Sequence, residues 1–556
     1  MRARRTSPAA SAKLRSDDDE TQLLDSSTQA SEPTAPKDGD APTFRRTRSV
    51  IVRFTCLVYV VAFGVAAQQN TALIGEHGLL SAKSYLKRVK EHFGAPECYE
   101  RVPTLLWLVP GSPDTLSDSH LQALAVLGVV LAGIPLCRGS ANMVHLLLLA
   151  AIQRSLLEVG QTFYSFGWET QLFETGILVS LLCPVLDTSP STSHQPPATT
   201  LYALRWLLFR IMLGAGLIKW RGDACWRDLT CMQYHYETQP VPGPLSWYFH
   251  HTPEAFHAFE VIVNHVVELG TPWLLLIPLT RYRWATWLTR IGGALQVLFQ
   301  CTLILSGNLS FLNWLTIIPA LSCFDDSCWP SVFSVASSHT DVPKRARERA
   351  MATTRTIFDW TVFAFIAWLS VPVVSNLISE RQAMNTSFDN LKLVNTYGAF
   401  GSITKVRHEV VVMGTRDSNP ADDAAHWEEY EFNVKPNDVS RQPPWITPWH
   451  YRLDWLMWFA AFGSPSQHPW LVHLVLKLLK GDKAIGDLLR RDPFVGGEPP
   501  KFIKADLYLY KYTPRNSSSA QNKWWTRKYE REYLPTLSLQ QEDGALRWLR
   551  NHGVSV

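Results

Sequence analysis

Apolar residues form long runs in the first two thirds of the chain and short, interrupted runs in the last third. Nine runs are candidate membrane helices, at 50–67, 121–136, 143–157, 172–186, 201–219, 261–279, 287–305, 309–323 and 357–378. Several of them are shorter than the roughly 20 residues that a spanning helix prefers. The pattern therefore predicts a multi-pass α-helical membrane domain with five to nine crossings.

The orientation of this domain does not depend on the number of crossings. The five strongest runs are 50–67, 121–136, 201–219, one crossing within 287–323, and 357–378. Five and nine are both odd, so either number places the two chain ends on opposite sides of the membrane. Basic residues stay on the cytosolic side, and four of them lie at the start of the first run: Arg45, Arg46, Arg48 and Arg53. We therefore expect a cytosolic N-terminus, a lumenal loop at about 220–258, and a lumenal C-terminal region.

The polar ends and the last third complete the predicted domain organisation. Residues 1–49 are rich in Ser, Thr, Pro, Asp and Arg, which is typical of a disordered cytosolic tail. The multi-pass domain occupies 50–379. Residues 380–512 are predicted to form a lumenal β-rich (α+β) domain, and 513–556 a polar tail.

The prediction for 380–512 is based on short β-branched or aromatic runs bounded by Gly, Asn and Pro. The candidate strands are 392–397, 408–413, 430–434 and 505–512. Two more apolar stretches, 453–462 and 471–480, are predicted as helices inserted among the strands.

Composition excludes several classes of protein. A net charge of +4 in 556 residues is too small to suggest a nucleic-acid-binding protein. Nine cysteines in a chain of this length do not make a disulfide scaffold. The chain has no P-loop, dinucleotide fingerprint or nucleophile elbow, and its histidines lack the spacing of a metal site. We expect neither a cofactor nor a metal.

The loop at 220–258 contains Cys225 and Cys231, six positions apart. In an oxidising lumen the two could form a small disulfide, remain unpaired, or act as a redox pair. The spacing is not Cys-x-x-Cys, which weakens the redox interpretation.

Charged residues within apolar runs form a second group of candidates. Arg205 and Arg210 lie inside one predicted helix, about 140° apart around its axis, and Lys219 lies near its end. A charge in a membrane segment needs a partner, and the candidate partners are Glu158, Glu169, Glu174 and Glu268. One interpretation is internal ion pairing that fixes helix packing. The other is a polar site within the membrane, formed by Arg205, Arg210, Lys219, Glu169 and Glu268.

Three Asn-x-Ser/Thr triplets are potential N-glycosylation sites. Asn385 and Asn516 fall on the predicted lumenal side, which makes them the candidate acceptors. Asn308 is predicted to lie too near the bilayer for easy modification.

Six sequence blocks carry a resemblance to a known family. They are FYSFGWETQLFETGIL (163–178), FRIMLGAGLIKWRGDACWRDLTCMQYHYETQPVP (209–242), NHVVELGTPW (264–273), SGNLSFLNWLTIIPALSCFDD (306–326), NTYGAFGSITKVRHEVVVMGT (395–415) and WHYRLDWLMWFAAFG (449–463). Together they resemble the lipase maturation factor family of endoplasmic-reticulum membrane proteins. The resemblance covers roughly 160–512.

This resemblance implies a non-enzymatic factor in the endoplasmic-reticulum membrane. Its partners would be membrane lipid and secreted client proteins, such as the dimeric lipoprotein lipase, whose folding, assembly and export it would assist. In the family the C-terminal domain is thought to carry client binding, which here corresponds to about 390–512. The alternative is a membrane-embedded enzyme or thiol-redox factor that acts through the buried Arg and Glu residues and the Cys225/Cys231 loop.

Overall fold

The computed structural model describes residues 42–188, 195–278, 282–330, 346–515 and 523–554, and up to residue 378 this part of the chain is mostly helical. The helices are α1 (Arg45–Ile74), α2 (Ala82–Phe93), α3 (Glu97–Arg101), α4 (Asp118–Arg138), α5 (Met143–Val159), α6 (Gly167–Leu181), α7 (Ala198–Arg221), α8 (Ala224–Arg227), α9 (Met232–Thr238), α10 (Ser246–His250), α11 (Glu254–His265), α12 (Pro272–Leu275), α13 (Arg283–Ser306), α14 (Leu312–Ala320) and α15 (Ala346–Ile378). A π-helical turn, Val266–Gly270, joins α11 to α12. Short 3-10 turns include Leu105–Leu108, Gln161–Tyr164 and Leu321–Cys323.

Five helices are long and apolar enough to cross a bilayer: α1, α4, α7, α13 and α15 from Thr353 onward. They coincide with the five strongest apolar runs of the sequence, so this is a multi-pass membrane protein. Many of their outward residues are large and apolar, as expected for side chains that face lipid rather than water.

The helices pack as a bundle with two ends. End A holds the start of α1, where the Asp326 carboxylate accepts hydrogen bonds from the backbone N–H groups of Arg45 (2.9 Å) and Arg46 (2.7 Å). This carboxylate satisfies donors that the first helical turn leaves free. End B holds the other end of α1, where the Glu76 N–H donates to Asp118 at the start of α4 (2.6 Å).

Helices α4, α5 and α6 alternate in direction between these ends. Helix α4 returns to end A, where the Ser49 hydroxyl donates to the Gly139 carbonyl (2.7 Å). Helices α5 and α6 form an antiparallel pair that is closed at end A by the Met143 N–H and the Pro184 carbonyl (2.8 Å). Helix α5 therefore runs towards end B, and α6 runs back.

The remaining helices continue the alternation. Helix α7 runs to end B, and α11, the π turn and α12 together return to end A alongside α13. Gln296 of α13 donates to the Val267 carbonyl (3.1 Å), and the Ser306 carbonyl at the end of α13 accepts from Ser246 at end B (2.9 Å). Helix α14 with its 3-10 turn then leads back to end A.

Helix α15 is parallel to α7 and makes the last pass to end B. Trp206 of α7 donates to the Ser370 hydroxyl (2.9 Å), and Arg221 at the end of α7 donates to the Leu377 carbonyl (2.8 Å). The described residues thus make nine passes between the ends: α1, α4, α5, α6, α7, α11–α12, α13, α14 and α15. These passes coincide with the nine apolar runs of the sequence.

After α15 the described chain stays at end B and contains a small antiparallel sheet. The strands are β1 (Arg407–Thr415), β2 (Glu428–Glu429), β3 (Phe502–Tyr512) and β4 (Trp525–Leu537), in the order β2-β1-β3-β4. The helices are α16 (Arg452–Ala460), α17 (Pro469–Leu479), α18 (Lys483–Gly486) and α19 (Glu542–Asn551). Val410 and Val412 of β1 face the main core, whereas Val411 and Met413 pack with Trp525 on the other face.

Two predicted strands differ from the structure. Strands β1 and β3 include 408–413 and 505–512, and α16 and α17 cover most of the two predicted helices. Residues 392–397 do not form a strand, because the backbone N–H of Asn395 donates to the Glu174 carboxylate instead (3.2 Å). Residues 430–434 do not form a strand either, because β2 ends before them. The Tyr430 N–H donates to the Val412 carbonyl of β1 (3.0 Å), and Glu431 pairs with Arg491, which lies outside the sheet.

The predicted boundary at 512 also differs from the structure. Strand β4 and helix α19 lie within the predicted polar tail, and β4 pairs with β3 along its length. Residues 526–532 are exposed on both faces, and β4 is an edge strand of the sheet. The strand therefore lacks the apolar–polar alternation that identifies a half-buried strand, and its charges are typical of a protected edge.

Candidate functional site

The loop at 222–258 packs against the sheet at end B, and we call this contact the junction. Arg407, the first residue of β1, is buried and donates to the carbonyls of Glu237 (3.0 Å), Gln239 (2.5 Å) and Pro240 (3.1 Å). Its charge is balanced by Glu409, 2.6 Å away. One guanidinium therefore holds the end of the loop's helix α9 to the first strand of the sheet.

Aromatic and histidine side chains fill the rest of the junction. The Trp247 indole donates to the Thr513 carbonyl (3.1 Å), and the Tyr512 N–H donates to the Glu237 carboxylate (2.8 Å). His250 lies 3.7 Å from the same carboxylate. Burial lowers the pKa of His250 to about 4 and raises the pKa of Glu237. The histidine is therefore neutral at neutral pH and packs as part of the aromatic cluster.

A second contact joins α6 of the bundle to α16. The Arg452 guanidinium lies 2.7 Å from Glu169 and donates to the Phe163 carbonyl (2.8 Å). It also lies over the Tyr164 ring, 3.5 Å from the centroid. Gln153 donates to the second carboxylate oxygen of Glu169 (2.8 Å). Both charged side chains are fully buried, so each depends on the other for compensation.

A third contact attaches the segment before β1 to α6 and α7. Arg210 forms an ion pair with Glu174 and donates to the Asn395 carbonyl (2.6 Å). The Glu174 carboxylate accepts further hydrogen bonds from the Asn395 amide (2.9 Å) and the Tyr397 hydroxyl (2.7 Å). Here too a buried charge pair of the bundle is completed by groups from the C-terminal third.

Lys219 and Glu268 form a separate pair between α7 and the π turn. The Lys219 ammonium lies 2.6 Å from Glu268 and 2.9 Å from the Asn264 amide oxygen, and Asn264 also donates to Glu268 (3.0 Å). Arg205 instead donates to the Ser322 carbonyl in the 3-10 turn that follows α14 (2.8 Å), where helix carbonyls carry partial negative charge.

The structure therefore does not bring the five predicted polar residues into one site. Arg205, Arg210, Lys219, Glu169 and Glu268 belong to four separate contacts, three of which are ion pairs. The sequence does not predict the roles of four further residues: Arg452, Arg407, Asn395 and Tyr397. The sequence does contain a signal for Arg452, because this charged residue directly precedes the apolar run of 453–462.

Cys225 and Cys231 form a disulfide in the structure, and their Cα atoms lie 4.8 Å apart. The loop is attached to the C-terminal third through Trp226, whose indole donates to the Phe400 carbonyl (2.9 Å). The Asp223 N–H donates to the neighbouring Gly401 carbonyl (2.9 Å). The cysteine loop thus holds the segment that leads from α15 to β1.

The three glycosylation triplets lie in different surroundings. Asn385 is exposed on a turn at end B, shortly after α15. Asn516 lies outside the described residues. Asn308 is only 1% exposed, and its amide donates to the carbonyls of Pro242 (3.0 Å) and Pro444 (2.8 Å). Asn308 therefore serves as a buried contact between the bundle, the loop and the C-terminal third.

Across the described ranges, no three His, Cys, Asp or Glu side chains are grouped so that they could hold a metal ion. The charged groups of the contacts described above pair with one another and bind backbone carbonyls of neighbouring elements, and in this way they hold separate parts of the chain together.

Comparison with known proteins identifies the family. The profile described as the lipase maturation factor transmembrane domain matches residues 46–331, and the profile of the lipase maturation factor C-terminal domain matches 393–535. The chain belongs to the lipase maturation factor family. It is 46% identical to lipase maturation factor 1 of Bos taurus, over 90% of each chain, and 46% identical to that of Homo sapiens, over 90% of this chain and 89% of the relative.

A second branch of the family is more distant. Lipase maturation factor 2 of Gallus gallus is 30% identical over 90% of this chain and 82% of its own length. No solved structure matches the chain. The residues of the three contacts between bundle and C-terminal third all lie inside the two matched regions.

Proposed function

We propose that this protein is a non-enzymatic factor of the endoplasmic-reticulum membrane that assists the folding, assembly and export of secreted lipases, including dimeric ones. The observation that carries the proposal is the 46% identity to lipase maturation factor 1 over 90% of the chain. That likeness extends through both the membrane region and the C-terminal region, so it covers the whole arrangement at end B.

We further propose that all nine passes cross the bilayer, with end A cytosolic and end B lumenal. Basic residues at or near end A support this orientation: Arg45, Arg46, Arg48, Arg53, Arg138, Arg290 and Arg355. The short passes α6 and α14 are largely buried within the bundle. A short helix is tolerated there because its ends contact protein rather than lipid.

The lumenal surface at end B is the proposed site of client binding. Exposed aromatic side chains at or near the junction include Tyr248, Trp445 and Tyr529. Tyrosine and tryptophan give a large contact area and are enriched at the energetic centres of protein interfaces. The three buried contacts hold the C-terminal third against the bundle, so the client would meet one fixed surface rather than a mobile domain.

The paired charges favour the non-enzymatic interpretation over an enzyme within the membrane. Glu169, Arg210, Lys219 and Glu268 each bind a side chain of opposite charge, and this pairing accounts for their burial. The Cys225/Cys231 loop is used as a structural contact to 400–401.

The proposal is tested by complementation. Cells that lack their own lipase maturation factors would express a secreted dimeric lipase with or without this chain, and lipase activity per mass of lipase in the medium would be measured. We expect the chain to raise this specific activity several-fold. An unchanged specific activity, with the chain present in the endoplasmic-reticulum membrane at normal abundance, would contradict the proposal.

A further inference from the structure

An apolar segment lies on the flank of the bundle near end B. Residues 102–110, VPTLLWLVP, contain no charged side chain and include the 3-10 turn Leu105–Leu108. Leu106 is buried, whereas Leu108 is 77% exposed. Trp107 contacts the exposed ring of Tyr99 edge-to-face at 5.3 Å.

The segment is hydrogen-bonded to α5 at a point that lies inside the bundle, short of end B. The Leu105 N–H donates to the Ser155 hydroxyl of α5 (2.9 Å), and the Thr104 hydroxyl donates to the Ser155 carbonyl (3.3 Å). Ser155 lies four residues before Val159, the last residue of α5. At the helical rise per residue, this contact is about 6 Å inside the end of the helix.

The segment covers the outward face of α5 near end B. Near end A, α5 exposes Val144, Leu147 and Leu148. The same stripe of the helix continues towards end B with Ala151, which is half-buried, and Ser155, which is buried. This change occurs where residues 102–109 pack against the helix. The outer surface of the segment is therefore continuous with the apolar surface of the bundle, not with its polar end.

Basic side chains lie beside the apolar segment. Lys90 of α2 donates to the Ser112 carbonyl (3.3 Å), and Arg101 lies over the Phe93 ring at 5.5 Å while pairing with Glu97 (3.0 Å). An apolar surface flanked by Lys and Arg is typical of segments that lie in the membrane interface, since long basic side chains reach the headgroups while their stems cover apolar surface.

We propose that residues 102–110 are inserted into the end-B leaflet of the same bilayer, with Leu108 among the acyl chains and the basic side chains of α2 and α3 at the headgroups. The occupant of this surface is lipid, because the surface is continuous with the lipid-facing side of α5. The proposal rests on the placement of the bundle in a bilayer, as proposed above, but not on the choice of client.

The test uses the full chain in phosphatidylcholine vesicles, with the exposed cysteines Cys137, Cys301 and Cys328 replaced by serine. A single new cysteine, from Leu108→Cys, carries an environment-sensitive fluorophore. Quenching is measured with lipids bearing a nitroxide on the acyl chain and with aqueous iodide. The matched controls are Val130→Cys, on the outward face of α4, and Glu91→Cys, on the exposed side of α2.

We expect the label at 108 to be quenched by the lipid nitroxide at least half as strongly as the label at 130, and to be shielded from iodide relative to the label at 91. Iodide quenching at 108 equal to that at 91, with 130 still quenched by lipid, would overturn the inference while leaving the membrane bundle intact. Shielding that appears only after a lipase is added would overturn it in favour of a client site. Shielding that depends on protein-to-lipid ratio would assign the surface to a second copy. Loss of lipid quenching at 130 would contradict the bilayer placement itself.

Discussion

The buried Arg452–Glu169 pair allows a quantitative test of how the C-terminal third is held on the bundle. In Arg452→Met the side chain keeps most of its length but loses its charge and its hydrogen bond to the Phe163 carbonyl. Glu169 then stays buried, with the Gln153 amide as its remaining side-chain partner. Removing one member of a buried pair typically costs about 3–5 kcal/mol, a large share of the roughly 5–15 kcal/mol that stabilises a typical folded domain.

The assay is unfolding of the purified full chain in detergent micelles, followed by the exposure of buried cysteines during heating. We expect Arg452→Met to unfold at a clearly lower temperature, and Arg452→Met with Glu169→Gln to recover at least half of the loss, because no charge is then left uncompensated. Arg547→Met, on the exposed side of α19, is the matched control and should change stability by less than about 0.5 kcal/mol. If Arg452→Met unfolded like the control, or if the double variant were as unstable as the sum of its single changes, the reasoning would be refuted.

Four further changes probe other positions at end B. Asn308→Ala should lower the unfolding temperature of the purified chain, because two carbonyls lose their buried donor. Asn385→Gln should leave the unfolding temperature unchanged and should remove the glycosidase-sensitive mobility shift that a glycan at Asn385 causes. Burial lowers the pKa of His473 to about 4, so between about pH 6.5 and 4 this side chain is protonated in the unfolded chain but neutral in the folded chain. The free energy of unfolding should therefore fall as pH falls through that window. His473→Asn should make this pH dependence less steep. Replacing Cys225 and Cys231 by serine should cost about 2 kcal/mol, the effect of closing a short loop, and mass spectrometry of the alkylated wild type should find two more free thiols after reduction than before.

The helical passes were the most predictable part of the fold. Each pass is apolar along most of its length, whether it faces lipid or the interior of the bundle. The apolar run that predicts it can therefore be read from the sequence without knowledge of the neighbouring helices. The short passes α6 and α14 were harder to interpret, because their length alone falls below what lipid requires. Their burial between longer helices, which makes that length acceptable, depends on tertiary packing.

The pairing of charges was not predictable. Arg210 binds Glu174, and Arg452 binds Glu169, across more than 280 positions in the second case. A single sequence shows that a buried charge needs a partner, but not which partner it has. Strand β4 was missed for a different reason: an edge strand exposed on both faces has no apolar alternation, and its polar composition is the same as that of a loose tail.

The placement of Ser165 tests the central claim, that nine passes carry the junction and the C-terminal third on the lumenal side of the membrane. Ser165 is exposed between the Gln161–Tyr164 turn and α6, at end B. The measurement is labelling of Ser165→Cys, in the background with the exposed cysteines removed, by an impermeant maleimide before and after the endoplasmic-reticulum membrane is opened. The account predicts labelling only after that membrane is opened. Labelling from the cytosol would mean that α5 and α6 do not cross the bilayer, or that the whole bundle is inverted, and either result would contradict the account.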